Sequence, residues 1–157
     1  MPRGKYKKQI VHPEPLFKSL EVAKLINYIM VDGKKTVAEK IVYDVLRKFE
    51  AEKEEPLKIL QQAITNVAPV HEVKPRRLGG ASYLVPIEVR RERKLFLALN
   101  WIVDAAKTRS NKEFHTFAEK LYTELKEASQ NIGNAVTKRQ QTEKLAEANK
   151  AFSHLKW

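Results

Sequence analysis

A chain of 157 residues without cysteine has no disulfide, no thiolate zinc site and no cysteine nucleophile, and suits a reducing cytosol. Its hydrophobic content of 43%, with 8% aromatics, is that of one globular domain with its own core, which excludes a disordered chain. The 30 basic and 19 acidic residues leave a net charge of +11, a field that attracts polyanions.

The positive charge is segregated. Residues 1–12 carry Arg3, Lys5, Lys7 and Lys8 without an acid, and residues 74–94 carry seven cations against Glu88 and Glu92. Acids collect instead at Glu50, Glu52, Glu54 and Glu55. No apolar run approaches the roughly 20 residues of a membrane span, and the basic N-terminus lacks the apolar segment of a secretory signal. A soluble, cytoplasmic protein is expected.

Residues 1–15 hold three prolines, a glycine and alternating lysines, with little to bury. They are predicted to form a basic arm that is disordered alone and ordered by a polyanion. Residues 16–157 are predicted to form a single helical domain. Val22, Leu25, Ile26, Ile29 and Met30 follow the spacing of an amphipathic helix, which Asp32-Gly33 stops. Thr36 with Glu39 predicts a capping box for a second helix, with Ala38, Ile41, Val42, Val45, Leu46 and Phe49 as its apolar stripe. Pro56 suits the first turn of a third, striped by Leu57, Leu60, Ile64 and Val67, and Pro69 lies where it should end.

A hairpin is predicted over about 72–89. A basic half-strand, Val73 to Arg77, meets Gly79-Gly80, and beyond it Tyr83, Val85, Ile87 and Val89 alternate with Ser82, Leu84, Pro86 and Glu88. Paired glycines supply the positive φ angles of tight hairpin turns. With the glycines at the turn centre, Arg77 faces Ser82, Arg76 faces Tyr83 and Lys74 faces Val85. Pro75 and Pro86 exclude a central strand of a larger sheet. Val85, Ile87 and Val89 are expected to fasten the ribbon to the helices, while Arg76, Arg77 and Tyr83 reach outward. Arginine for phosphate and an aromatic ring for a base is a pairing used by nucleic-acid binders.

Arg90, Arg91 and Arg93 join the ribbon to a fourth helix, striped by Leu95, Leu99, Ile102, Val103 and Ala106. Ser110 with Glu113 predicts a capping box for a fifth, with Phe114, Phe117, Leu121 and Leu125 inward. Gly133 is expected as a C-cap and Asn134 as an N-cap. The last helix, about 135–149, has a charged stretch from Thr137 to Lys144 and reads as peripheral. Trp101 is expected in the core, and Trp157 either meets RNA or a partner or packs on the fold. The fold class is mainly α: six helices, one protruding two-stranded antiparallel hairpin and a basic arm.

Catalytic signatures are lacking. His12, His71, His115 and His154 are widely spaced, and none stands in a metal-ligand spacing. No G-x-S-x-G elbow occurs, and Asp32-Gly33-Lys34-Lys35 lacks the spacing of a phosphate loop. Lys34 and Lys35 at a helix start oppose the helix dipole, which is unfavourable unless an anion lies nearby. The reading is a non-enzymatic nucleic-acid binder without cofactor, metal or small-molecule substrate. An architectural DNA-binding protein with a basic ribbon is the alternative, although such ribbons usually carry apolar wedges at the tip and act as dimers.

The segments MPRGKYKK at the start, IMVDGKKTVAEKIVYDVL (29–46), RRLGGASYLVPIEVRRER (76–93), LALNWIVDAAKTR (97–109) and TEKLAEANKAFSHLKW (142–157) are distributed from one end of the chain to the other. In order and spacing they resemble the universal family of small-subunit ribosomal protein seven, in its bacterial and organellar form. The resemblance implies a helical domain with an extended hairpin, and primary binding to the 3′ major domain of small-subunit ribosomal RNA, starting assembly of the head. It also implies a place near the exit-site transfer RNA and the messenger path, beside neighbouring head proteins and platform protein eleven. Some members repress translation of their own operon message. Carried over by position, the implied RNA contacts are Pro2, Arg3, Lys5, Lys7 and Lys8 in the arm, with Lys34 and Lys35. The ribbon adds Arg76, Arg77, Gly79, Gly80 and Tyr83. Arg90, Arg91, Arg93, Lys107, Arg109, Lys138, Arg139, Lys150 and Trp157 complete the implied surface. Between Arg109 and Val136 the chain departs from the family pattern, with Phe114-His115-Thr116-Phe117 at the fifth helix and Asn131 to Asn134 in place of a more basic turn.

Overall fold

The computed structural model describes residues 11–155, so the arm residues Pro2, Arg3, Lys5, Lys7 and Lys8, and Trp157, lie outside the described residues. Ser19 stands in extended backbone and accepts a hydrogen bond from the Val22 amide, opening α1 (Leu20–Ile29). Asp32 and Gly33 then take left-handed φ angles of 53° and 72° and reverse the chain into α2 (Lys35–Ala51). Pro56 occupies the first turn of α3 (Pro56–Val67). The ribbon β1 (His71–Leu78) and β2 (Ala81–Glu88) leads into α4 (Arg91–Thr108), α5 (Phe117–Ser129) and α6 (Asn134–Ala148), and a 3-10 segment, Lys150–Leu155, follows.

The predicted stripes meet in one core. Leu25, Ile26, Leu46, Phe49, Leu60, Leu99, Ile102, Leu121 and Leu125 are all enclosed. Burial of each such side chain contributes about 1.5–3 kcal/mol. α5 lies at the centre, touching α2, α3, α4 and α6. α6 buries only Ala135, Val136 and Ala146, which fits a peripheral helix. Trp101 is half-buried against the core.

Four predicted caps are corrected. α2 starts one residue before Thr36, because the left-handed Asp32-Gly33 turn already pairs the Lys34 amide with the Val31 carbonyl at 3.0 Å and the Lys35 amide with Gly33 at 2.8 Å. Ser110 is spent locally, its hydroxyl accepting from the Lys112 amide at 3.2 Å. The capping box therefore forms at Thr116 and Glu119, and α5 begins at Phe117. Asn131, at φ 60°, rather than Gly133, ends α5: the Ile132 amide bonds Glu127 and the Asn131 amide bonds Ala128, a Schellman arrangement. Gly133, at φ 103°, instead precedes α6 as its N-cap, and Asn134 is the first helical residue.

The last residues of the predicted arm lie among those described. Glu14 is 4% exposed, its carboxylate accepting from the amides of Leu16 (2.9 Å) and Phe17 (2.6 Å) and from the Tyr43 hydroxyl. Residues 11–15 thus include an anchor on α2. Burial alone would raise the Glu14 pKa, but these three bonds outweigh it and hold it below its ordinary value of 4.5, and the same bond pushes the Tyr43 hydroxyl up to about 12. A depressed carboxyl pKa stabilises the fold above the unfolded value, and that stability is lost as pH falls through the folded pKa. Urea unfolding of Glu14→Gln against wild type should therefore show a stability gap at pH 7 that closes as pH falls below about 4. A gap constant from pH 7 to 3 would contradict this role.

Candidate nucleic-acid interface

The ribbon register is the predicted one: Arg77 pairs with Ser82, Arg76 with Tyr83 and Lys74 with Val85. Gly79 and Gly80 have φ angles of 56° and 88°, and a Cβ on either would meet open space. Glycine is required there by backbone conformation, since positive φ at both central residues is what a type I′ turn demands. Arg77 and Leu78 are exposed at the tip.

On one face of the ribbon Val85 is buried as expected, but Tyr83 and Arg76 are less exposed than expected. Val85 is fully buried, and Tyr83 is half-buried with its ring 5.3 Å from that of Phe152, tilted by 49°. Tyr83 therefore turns toward the body of the protein, because the 3-10 segment beyond α6 lies along β2 and covers this face. Arg76, on the same face, is half-buried. Val89 is buried and Ile87 half-buried, as fastening residues should be.

Cations gather at two helix starts. Lys34 is the N-cap of α2 and Lys35 its first residue, with no acid in that turn and no side-chain cap. Lys35 makes a 3.7 Å pair with Glu39 and keeps 61% of its side chain exposed. Arg90 is the N-cap of α4 and Arg91 its first residue, both exposed. Positive side chains beside the positive end of a helix dipole are mutually unfavourable until an anion arrives, and an anion near a helix start is favoured by the dipole. Lys138 and Lys150 are exposed on α6 and at its end. Lys107 is exposed in the last turn of α4, 3.8 Å from Asp104.

Three further arginines of the implied surface pair within the fold. Arg93 reaches Glu72 at 3.3 Å and lies 5.2 Å over the Phe96 ring, tying α4 to β1 while remaining 47% exposed. Arg139 donates to the Asn66 carbonyl at 2.6 Å and pairs with Glu143 at 3.7 Å, so it bridges α6 to α3. Arg109 is the most enclosed of these three arginines. Its side chain is 12% exposed, and its guanidinium donates to Glu124 at 2.9 and 2.5 Å and also to Glu127. Burial disfavours the charged guanidinium, but hydrogen bonds to Glu127 and Glu124 outweigh it and hold its pKa above the ordinary value.

Glu124, entirely buried, takes part in a junction not foreseen from the sequence. Its second oxygen accepts the Ala135 amide at 3.0 Å, capping α6 from α5. Lys120, also buried, donates to the Arg109 carbonyl at 2.6 Å and to Asn111 at 2.5 Å. Asn66 closes the far side, donating to the Ala128 and Ser129 carbonyls at 2.9 and 2.8 Å. A Cβ on Gly133 would come within 3.2 Å of carboxylate oxygens of Glu124 and Glu127, so both its φ and its lack of a side chain are used. A signal did exist: Lys120 and Glu124 fall on the same helical face as Leu121, Leu125 and Ala128, and a charge in an apolar stripe is a buried charge in need of a partner.

A helical body with a two-stranded ribbon and exposed cations at the ribbon tip and two helix starts defines a class of small basic proteins with a preset polyanion-facing surface. Residues 1–150 match the family described as ribosomal protein S7p/S5e. The chain belongs to this family. It is 51% identical over 160 residues to the small ribosomal subunit protein uS7 of Sulfurihydrogenibium sp., covering 100% of both chains. It is also 50% identical over 161 residues to that of Acetivibrio thermocellus, again covering 100% of both chains. Against the protein of the same name from Pelagibacter ubique it is 47% identical over 151 residues, covering 96% of this chain and 95% of the relative.

Proposed function

We propose that this protein is a non-catalytic structural constituent of the small ribosomal subunit, working in the cytoplasm as a primary binder of the 3′ major domain of small-subunit ribosomal RNA. Binding there nucleates assembly of the head, with the ribbon near the exit-site transfer RNA and the messenger path, beside neighbouring head proteins and platform protein eleven. The observation that carries this reading is end-to-end similarity to proteins named for the small subunit. The exposed cations at the starts of α2 and α4 support it.

In this mechanism the helical core fixes cations in space, and phosphate contacts supply affinity. Shape supplies selectivity, because side chains cannot read the narrow A-form major groove. The surface contacts are Lys34, Lys35, Arg77, Arg90, Arg91, Lys107, Lys138 and Lys150, with the arm residues Pro2, Arg3, Lys5, Lys7 and Lys8 and with Trp157. Gly79 and Gly80 let RNA approach the ribbon backbone closely. Arg76, Tyr83 and Arg93 back the ribbon, while Arg109 and Arg139 act inside the fold. Hydroxyl-radical footprinting on full-length small-subunit RNA should show protections confined to the 3′ major domain. Protections scattered over all domains, or centred on another one, would overturn the assignment.

A further inference from the structure

A two-stranded ribbon is marginally stable by itself, so something must hold its direction. Its root is tethered by the Val89 amide to the Val70 carbonyl (3.0 Å) and by the Val70 amide to the Glu143 carboxylate (3.1 Å). α6 packs on β1 and the 3-10 segment on β2, yet a cleft of about 480 Å³ remains between them near the root, lined by His71, Pro86, Glu143, Glu147, Lys150 and Ser153. Further out, Val85 is enclosed and the Tyr83 ring meets Phe152. Phe152 is itself fixed by its amide to the Asn149 carbonyl at 3.0 Å, and its turn by the His154 ring to the Ala151 carbonyl at 2.9 Å. Eight residues of strand span about 25 Å, so about 10° of freedom at the root would move the tip by about 4 Å.

We propose that Phe152 is a positioning residue for the ribbon: its ring, seated against Tyr83, presets the direction of the Arg77 tip before RNA is met. The functional half of this proposal rests on the RNA-binding reading above; the structural half rests on the geometry alone. Preorganisation of this kind raises affinity by reducing what must be ordered on binding. It adds no phosphate contact.

Hydrogen exchange on the full-length protein tests the structural half without RNA. In Phe152→Ala, ribbon amides of residues 74–85 should exchange about three- to tenfold faster, while those around Leu99 and Ile102 in α4 keep wild-type rates. Phe152→Tyr, which keeps the ring, should restore slow exchange. Affinity for a 3′ major domain RNA fragment should fall about two- to tenfold in Phe152→Ala and recover in Phe152→Tyr, with the salt slope unchanged because no phosphate contact is lost. Ribbon exchange at the wild-type rate in Phe152→Ala would overturn the proposal, as would accelerated exchange with undiminished RNA affinity. If wild type itself does not prefer this RNA, the functional reading fails separately, and the exchange data still decide whether Phe152 holds the ribbon.

Discussion

Replacing Arg109 with alanine is expected to lower the unfolding free energy by about 3–5 kcal/mol, measured by urea denaturation at pH 7. The magnitude follows from what is left behind. Glu124 is wholly buried and takes two of its hydrogen bonds from the Arg109 guanidinium, so the variant strands a carboxylate in the interior with only the Ala135 amide as a donor. The ion pair itself need not stabilise the fold relative to an apolar substitute. Replacing both partners, Arg109→Met with Glu124→Met, should therefore recover most of the loss, less about 1 kcal/mol for the α6 cap. The same variant separates an internal role from RNA contact. Per folded molecule, Arg109→Ala should bind RNA with the wild-type salt slope, whereas loss of a phosphate contact would make the slope shallower by about 0.7–0.9.

The triple substitution Arg77→Ala, Arg90→Ala, Arg91→Ala is expected to weaken binding to a 3′ major domain RNA fragment about 100-fold at 0.15 M salt, while leaving the unfolding midpoint nearly unchanged. All three side chains are exposed, one at the ribbon tip and two at the α4 start. Each lost phosphate contact removes about 0.7–0.9 from the log–log slope, so the slope should become shallower by about 2–3. Filter binding across a salt titration reads both quantities together. Weakened affinity with an unchanged slope would mean that the arginines do not meet phosphate.

Ribbon and core were legible in the sequence because both depend on local periodicity. Gly79-Gly80 fixes the turn, and the turn fixes every cross-strand pair, so the pairing of Arg76 with Tyr83 follows from the position of two glycines. Helical stripes likewise identify much of what α1, α2 and α5 bury, but in α3 the buried Ile59 and Ala63 were missed while Leu57 and Ile64 are only half-buried, and Phe114 lies before α5. Sidedness was less accessible. Whether Tyr83 faces out or in depends on the 3-10 segment nearly 70 residues later, and no local pattern encodes that contact. Capping motifs were ambiguous for a related reason: Thr36-Glu39, Ser110-Glu113 and Thr116-Glu119 all have the same spacing, and only the last is used. What decides is whether the preceding backbone has already satisfied the amides at the helix start.

Among the cations, composition cannot separate a phosphate ligand from an internal strut, since both are arginine. Arg109 and Arg91 look alike in sequence, and only the buried Glu124 distinguishes them. That acid sits in phase with Leu121 and Leu125, the one local sign that a neighbouring cation is turned inward.

The central claim is that this basic surface is shaped for folded ribosomal RNA and not for polyanions at large. Its most direct test is the affinity of the full-length protein for a 3′ major domain RNA fragment and for duplex DNA of equal charge, titrated at matched salt. Six to eight neutralised phosphates predict a log–log slope of about −4 to −7 for the RNA, together with a preference over duplex DNA that persists as salt rises. Equal affinity for the two at every salt concentration, or a slope near zero, would contradict the account.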